Sequence, residues 1–188
     1  SQDQEKIIVK FALSSVSSDG ALLNLKTELP HWNFNQVVTQ SQQKWNKELS
    51  KIDVESLSND DKQTFYTALY HTMLSPTIYE DVDGKYRGLD QNIHESNGFT
   101  NYTTFSLWDT YRALHPLFNI IEPTRNNDMV KSMLAHQSQS VHHMLPIWSH
   151  YNNENWCMIG YHAVSVLADA IAKGTSDADL QLMLSACI

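Results

Sequence analysis

Hydrophobic and polar positions change period several times along this chain, and each change predicts an element. Residues 7–16, IIVKFALSSV, are β-branched and partly alternating, which suits a strand, and SSDG (17–20) then supplies turn residues. From Ala21 the spacing turns helical. Leu22, Leu25 and Leu29 mark one helix, and Phe34, Val37, Val38, Trp45 and Leu49 a second, with Pro30 between them. A polar start at Ser58-Asn59-Asp60-Asp61 opens a helix carrying Phe65, Leu69 and Met73, which Pro76 ends. Residues 76–98 hold three glycines, several acids and few aliphatics, and read as a long irregular loop of the kind that more often carries function than not. Three further helical patterns follow: 101–119, 126–140 with Met129, Met133 and Leu134, and 155–173 with Met158, Val164, Val166 and Leu167. Gly174 is placed as the stop of the last. DADLQLMLSACI begins one more helix at the C-terminus, and together with the lone strand it makes both ends read as cut. The pattern predicts a mainly α protein built from successive helical hairpins.

Composition narrows the function without naming it. The chain has 188 residues, 41% of them hydrophobic and 18% charged, which is enough apolar material for a core. A net charge of -8 and no basic cluster argue against nucleic acid as a partner. No apolar run approaches the ~20 residues of a membrane span, and SQDQEK lacks the apolar core of a signal peptide. Cys157 and Cys187 are free to pair or not.

Three places could carry chemistry. On a helical wheel through 101–119, Leu107, Tyr111, Leu114 and Phe118 share the core stripe, while Phe105, Trp108, Asp109 and Arg112 fall on the other side. An indole, a carboxylate and a guanidinium together suit a sugar site, where an aromatic face lies under the ring and charged groups fix hydroxyls. They equally suit a surface Asp109–Arg112 pair beside a packed Trp108. In NNENWCMIGYHAVSVLADA (152–170), Glu154 sits where a helix is expected to begin, so a capping or dipole role competes with catalysis. Tyr161 and His162 inside that helix read first as core residues. The loop YEDVDGKYRGLDQNIHE (79–95) opens like a calcium loop at DVDG but lacks the later ligands, and its Arg87 and Asp90 either pair or face a substrate. His142-His143 belongs to no HExxH, and no GxSxG, phosphate loop or dinucleotide glycine pattern occurs.

The strings FYTALYHTMLSPTIYEDVDGKYRG, GFTNYTTFSLWDTYRALHPL and NENWCMIGYHAVSVLADA resemble the family 92 glycoside hydrolases, calcium-dependent exo-acting α-mannosidases. KFALSSVSSDGALLNLKTELPHWNFNQV is similar to the end of that family's N-terminal β-sandwich with its linker helices, and QKWNKELSKIDVE to the entry of its (α/α)6 barrel. The resemblance implies that residues 1–18 end the sandwich domain, 19–57 form linker helices, and 58–188 begin a truncated (α/α)6 catalytic domain. It implies removal of terminal α-linked mannose, often α-1,2, from N-glycans or mannan, with inversion. The substrate would be a mannose-containing glycan, with no nucleic-acid or membrane partner besides the rest of the same polypeptide, in a periplasmic or secreted setting.

An inverting hydrolase needs an acid and a base ~6.5–9.5 Å apart. Asp109 and Glu154 are not assigned to those roles, because the family's TEGN-type acid and GDND-type base motifs do not occur here and are expected beyond Ile188. The Ca2+ ligands are expected mainly outside this chain as well. Asp109 corresponds to a family residue that holds hydroxyls of the terminal mannose, which implies that positions 108 and 109 line a concave pocket. Trp108, Arg112, Glu154 and His162 match family strings and are secondary substrate-binding candidates. Where most relatives read NET before CMIGYH, Asn155 replaces the Thr. The alternatives are a different (α/α)6 inverting glycosidase of trehalase or glucoamylase type, or a non-catalytic carbohydrate-binding helical module.

Overall fold

A computed structural model describes residues 7–55, 58–150 and 153–188. Eight helices dominate it. The first three, α1 (Ser18–Glu28), α2 (Phe34–Leu49) and α3 (Asn59–Thr72), each start at a polar residue whose side chain accepts a backbone N–H: Ser17 from Gly20, Asn33 from Gln36 and Ser58 from Asp61. The strand expected at 7–16 does not form. These residues pair with no described strand, and Ile7, Val9, Phe11 and Leu13 stand exposed.

The long loop is more ordered than its composition suggests. Strands β1 (Thr77–Ile78) and β4 (Tyr102–Thr103) pair antiparallel across its base, and β2 (Lys85–Arg87) pairs with β3 (Ile93–Glu95) at its tip. Asp81 is buried at its root. Asn24 donates to Asp81 Oδ1 (2.8 Å) and Ser14 to Oδ2 (2.6 Å), while the Asn24 side-chain oxygen Oδ1 accepts the N–H of Val82. Gly20 is required at that contact, since a Cβ there would lie 2.3 Å from Asp81 Oδ2. Arg87 fastens the same segment from the far side, donating to the carbonyls of Ser15 and Gln91 (both 2.8 Å).

The single helix expected over 101–119 is instead α4 (Leu107–Thr110) and α5 (Leu114–Ile121). Pro116 is the reason. It has no N–H for the Arg112 carbonyl and its ring would strike that carbonyl, so the helix restarts with the proline in its first turn, where the missing donor costs nothing. Pro123 repeats the device at the first position of α6 (Pro123–Gln139), earlier than the expected start at 126. The helix expected over 155–173 shortens to α7 (His162–Ala172), because Gly160 is held at φ +105 just before it. Its end is as expected: Gly174 adopts φ +65, its N–H bonds Ile171, and the N–H of Thr175 bonds Ala170, the double closure of a Schellman stop. The last helix is α8 (Leu180–Ala186).

The core lies among α5, α6, α7 and α8, with the stretch 102–107 laid across it. Phe105, Leu107, Phe118, Met129, Val130, Met133, Leu145, Val166, Leu167 and Met183 are buried together there. Phe105, expected opposite the core stripe, is fully enclosed because it precedes α4 and follows no helical period. A polar chain runs through the same layer. The His115 ring meets Asn126 Oδ1 (2.9 Å), Asn126 donates to Asn119 (2.8 Å), and Asn119 donates to Asp169 (2.8 Å). Since the Asn126 amide nitrogen is spent on Asn119, its oxygen must accept, which makes His115 a neutral ring protonated on Nδ1.

On the outside, Arg125 of α6 clasps both oxygens of Glu48 at the end of α2 (2.9 and 3.0 Å), and Lys51 bonds Glu48 and Glu122. Burial alone would raise the Glu48 carboxyl, but its bonds to Lys51 and Arg125 outweigh it and bring it to about 2.

Burial pushes the His115 ring down to about 4 against its bond to Asn126, and pushes His136 down to about 4 against a bond with the Tyr102 backbone. Both are neutral when folded and free to take a proton near pH 6.5 when unfolded, so unfolding takes up protons in between. Their stabilisation should be complete above about pH 6.5 and fall away as pH drops toward about 4, by on the order of 3 kcal/mol per histidine. Urea melts of this chain across that range check it. Asn126→Ala should cost about 2 kcal/mol by leaving the buried His115 Nδ1–H without an acceptor, while Asn119 keeps its bonds to Asp169 and Thr175, read in the same melts.

Candidate functional site

The sequence places an acid third in the short helix α4, and the structure shows what holds it. Ser106 precedes the helix and donates its hydroxyl to Asp109 Oδ2 (2.7 Å), while the Asp109 N–H bonds the Ser106 carbonyl (3.1 Å). The carboxylate is exposed, at the positive end of the turn. Arg112 does not share it. The guanidinium lies over the Tyr111 ring, 5.4 Å from its centre, so the surface ion pair considered from the sequence is not the arrangement found.

Trp108, Tyr111 and His162 form one aromatic group. The His162 ring lies flat on Tyr111, centres 4.4 Å apart and planes 8° apart, and 5.1 Å from the Trp108 ring at a 60° tilt. Tyr111 had been expected on the core stripe, away from Trp108. With the helix broken after Thr110, both rings, three residues apart, meet the start of α7. His162 is half-buried and its Nε2 is enclosed without a partner. That edge of the ring faces Gly160: a Cβ there would come within 2.8 Å of Cε1 and Nε2. Tyr161 behaves as the core residue expected, with its hydroxyl donating to the carbonyl of Ala186 (3.0 Å).

Glu154 does not begin a helix. It sits in the segment before α7, bridged to Ser149, and its carboxylate takes the backbone N–H groups of Ile147 (2.7 Å), Trp148 (2.8 Å) and Trp156 (3.3 Å). Both oxygens are thus committed to shaping that segment. Asn155 accepts the N–H of Cys157 (2.9 Å), a local turn bond that supplies an acceptor where the family's Thr would stand. Two residues passed over in the sequence, Trp148 and Asn153, each bury a polar atom without a partner in the same segment. No periodic signal marks them, because the segment has no regular structure.

The pocket expected at 108 and 109 is not closed by these residues. Five concavities of the surface, including one of about 280 Å³ between β1, α5 and α6, are lined by other side chains, and Asp109 faces open surface. In the 79–95 loop, Arg87 and Asp90 do not pair. Arg87 holds residues 15 and 16, and Asp90 bonds His94 (3.0 Å) and Asn92. Asp81 of DVDG spends its oxygens on Asn24 and Ser14, and among the described residues no group of three or more His, Cys, Asp or Glu could hold a metal ion. These residues therefore do not fit a calcium site. Both cysteines are free, Cys157 exposed and Cys187 half-buried. No described helix is long and apolar enough to cross a membrane.

The fold superposes on a family GH92 alpha-mannosidase from Bacteroides thetaiotaomicron with a TM-score of 0.88 and 53% identity, over 92% of this chain and 23% of that one. The same enzyme has been solved in complex with mannoimidazole. A family GH92 inverting mannosidase from that organism aligns with a TM-score of 0.85 and 29% identity, again over 92% and 23% of the two chains. An uncharacterized secreted glycosidase of Arthroderma benhamiae is 31% identical over 78 residues, 39% of this chain and 10% of its own length. The chain thus spans under a quarter of the solved relatives, and its mainly helical architecture agrees with part of an (α/α) barrel. With the profile of the glycosyl hydrolase family 92 catalytic domain matching residues 20–188, the chain belongs to glycosyl hydrolase family 92.

Proposed function

We propose that this chain is the sugar-recognition portion of an exo-α-mannosidase that hydrolyses terminal α-linked mannose, α-1,2 links foremost, from N-glycans or mannan with inversion. The observation that supports it most is the 53% identity with an alpha-mannosidase across 92% of the chain. Asp109 is the sugar contact. Its carboxylate is exposed, oriented by Ser106 and free of Arg112, so it can accept two hydroxyls of a hexose, while the neighbouring indole offers an apolar face. The remaining walls of the hollow, the acid and base of inversion, and the ligands of the calcium ion lie outside residues 1–188 in this reading.

Residues 1–18 then belong to a preceding β-sandwich, 19–57 to linker helices and 58–188 to the barrel, and the exposed apolar row at 7–13 meets the sandwich. The enzyme works outside the cytoplasm, periplasmic or secreted, where such glycans are met. In this reading Glu154, whose oxygens take three backbone N–H groups, is not the base and serves to shape the segment that carries Trp148 and Trp156.

A panel of aryl glycosides offered to the full-length enzyme tests the reading: mannose should be released, and release of glucose would move the protein to another (α/α)6 glycosidase class. Asp109→Ala in that enzyme should lower kcat/KM by ~100-fold or more, since a charged hydrogen bond aimed at the transition state is lost; near-normal activity would return Asp109 to a surface role. Chain 1–188 alone should release no mannose, and turnover by it would place acid and base within these residues. Glu154→Gln should lower the melting temperature by several degrees, the loss of charged acceptors for backbone N–H groups, yet keep kcat within ~10-fold below that temperature. A base would lose far more.

A further inference from the structure

Trp108 is useful to a sugar only if its indole is held in one orientation, and nothing polar on α4 does that. What touches it is the His162 ring, which in turn lies flat on Tyr111 (4.4 Å, 8°) and presents its Nε2 edge to Gly160. Three residues from two separate segments, His162 directly and Tyr111 and Gly160 through it, therefore bear on the indole. The His162 Nε2 has no partner, so the imidazole is positioned by its faces and by the room that Gly160 leaves, not by a hydrogen bond at that nitrogen. Gly160 is doubly constrained: its φ of +105 disfavours any side chain, and a Cβ would meet Cε1 and Nε2 at 2.8 Å.

We propose that Tyr111 and Gly160 are positioning residues for substrate, acting through His162 to fix the Trp108 indole beside Asp109. This rests on the sugar-recognition reading of Trp108 and Asp109. Tyr111 supplies a flat support whose worth lies in its ring, with the hydroxyl dispensable; Gly160 supplies the space that lets the imidazole lie flat on that support. Loss of either lets the imidazole tilt and the indole swing out of register with the Asp109 carboxylate. A displaced indole weakens contact with the bound sugar in ground and transition states alike, so the effect falls on KM more than on kcat.

The test uses the full-length enzyme and an α-linked mannobiose, with variants Tyr111→Phe, Tyr111→Leu, Gly160→Ala, Trp108→Ala and Asp109→Ala. Tyr111→Leu should raise KM on the order of 10-fold with kcat changed less, and Tyr111→Phe should restore KM to within about 2-fold of the parent. Gly160→Ala should reproduce the Tyr111→Leu phenotype from the other edge of the imidazole. A purely structural Tyr111 would lower the active fraction, and so kcat, while leaving KM in place; that outcome overturns the proposal, as does a Tyr111→Phe variant as impaired as Tyr111→Leu. If Tyr111→Leu does not accumulate as folded enzyme, Gly160→Ala decides by the same KM criterion. Impaired Trp108→Ala and Asp109→Ala variants beside a normal KM in Tyr111→Leu and Gly160→Ala would refute the positioning role alone. Unimpaired Trp108→Ala and Asp109→Ala would refute the recognition reading beneath it.

Discussion

The buried chain from His115 through Asn126 and Asn119 to Asp169 is what gives the helical layer a single arrangement. Apolar packing among α5, α6 and α7 would tolerate small shifts of one helix along another, since Leu, Met and Val surfaces are forgiving of register. Amide groups are not. Each hydrogen bond in the chain spans two helices, and an unmade one would strand a polar atom in a place without water. The position of α5 fixes where α4 ends, and the position of α7 fixes where His162 meets it. The aromatic group next to Asp109 in sequence therefore depends on bonds made elsewhere along α5 and α7.

Proline and glycine decide most of the local geometry that follows. Pro116 cuts what hydrophobic spacing presents as one continuous helix, Pro123 starts α6 ahead of its apolar pattern, and Gly160 delays the start of α7. The spacing of apolar residues made the helices at 18–28, 34–49, 59–72 and 123–139 legible, together with the glycine stop at 174. It misled at 101–119, where a wheel drawn through the break put Phe105 outside the core and separated Tyr111 from Trp108, although Tyr111 does pack against the core as expected. A proline in a first turn is invisible to periodicity, because the residues on both sides still repeat at three and four.

The site was legible in part and for a specific reason. Asp109 and Trp108 stand out as an acid and an indole in an apolar run, and His162 stands out through the CMIGYH string. Tyr111 and Gly160 do not, since Tyr111 meets His162 from a separate segment and Gly160 is marked only by its backbone angle and by the room it leaves beside that ring. Glu154 was visible as an acid but its use was not: three backbone N–H groups from a segment without regular structure converge on it, and irregular backbone leaves no trace in spacing. The same is true of Asp81, whose DVDG setting suggests a cation and whose actual partners are an asparagine and a serine.

The clasp of Asn24 and Ser14 on Asp81 bears on the entropy of closing the chain. Asn24 and Asp81 are 57 positions apart, whereas the core helices α5 and α6 are joined directly through Glu122. Closing so wide a ring of flexible chain costs entropy before any bond is gained, while neighbouring helices meet cheaply. The α5–α6 pair is thus the least costly contact to close, whereas the hairpin at 79–95 carries a loop-closure cost of the same kind as the Asn119–Asp169 bond that ties in α7.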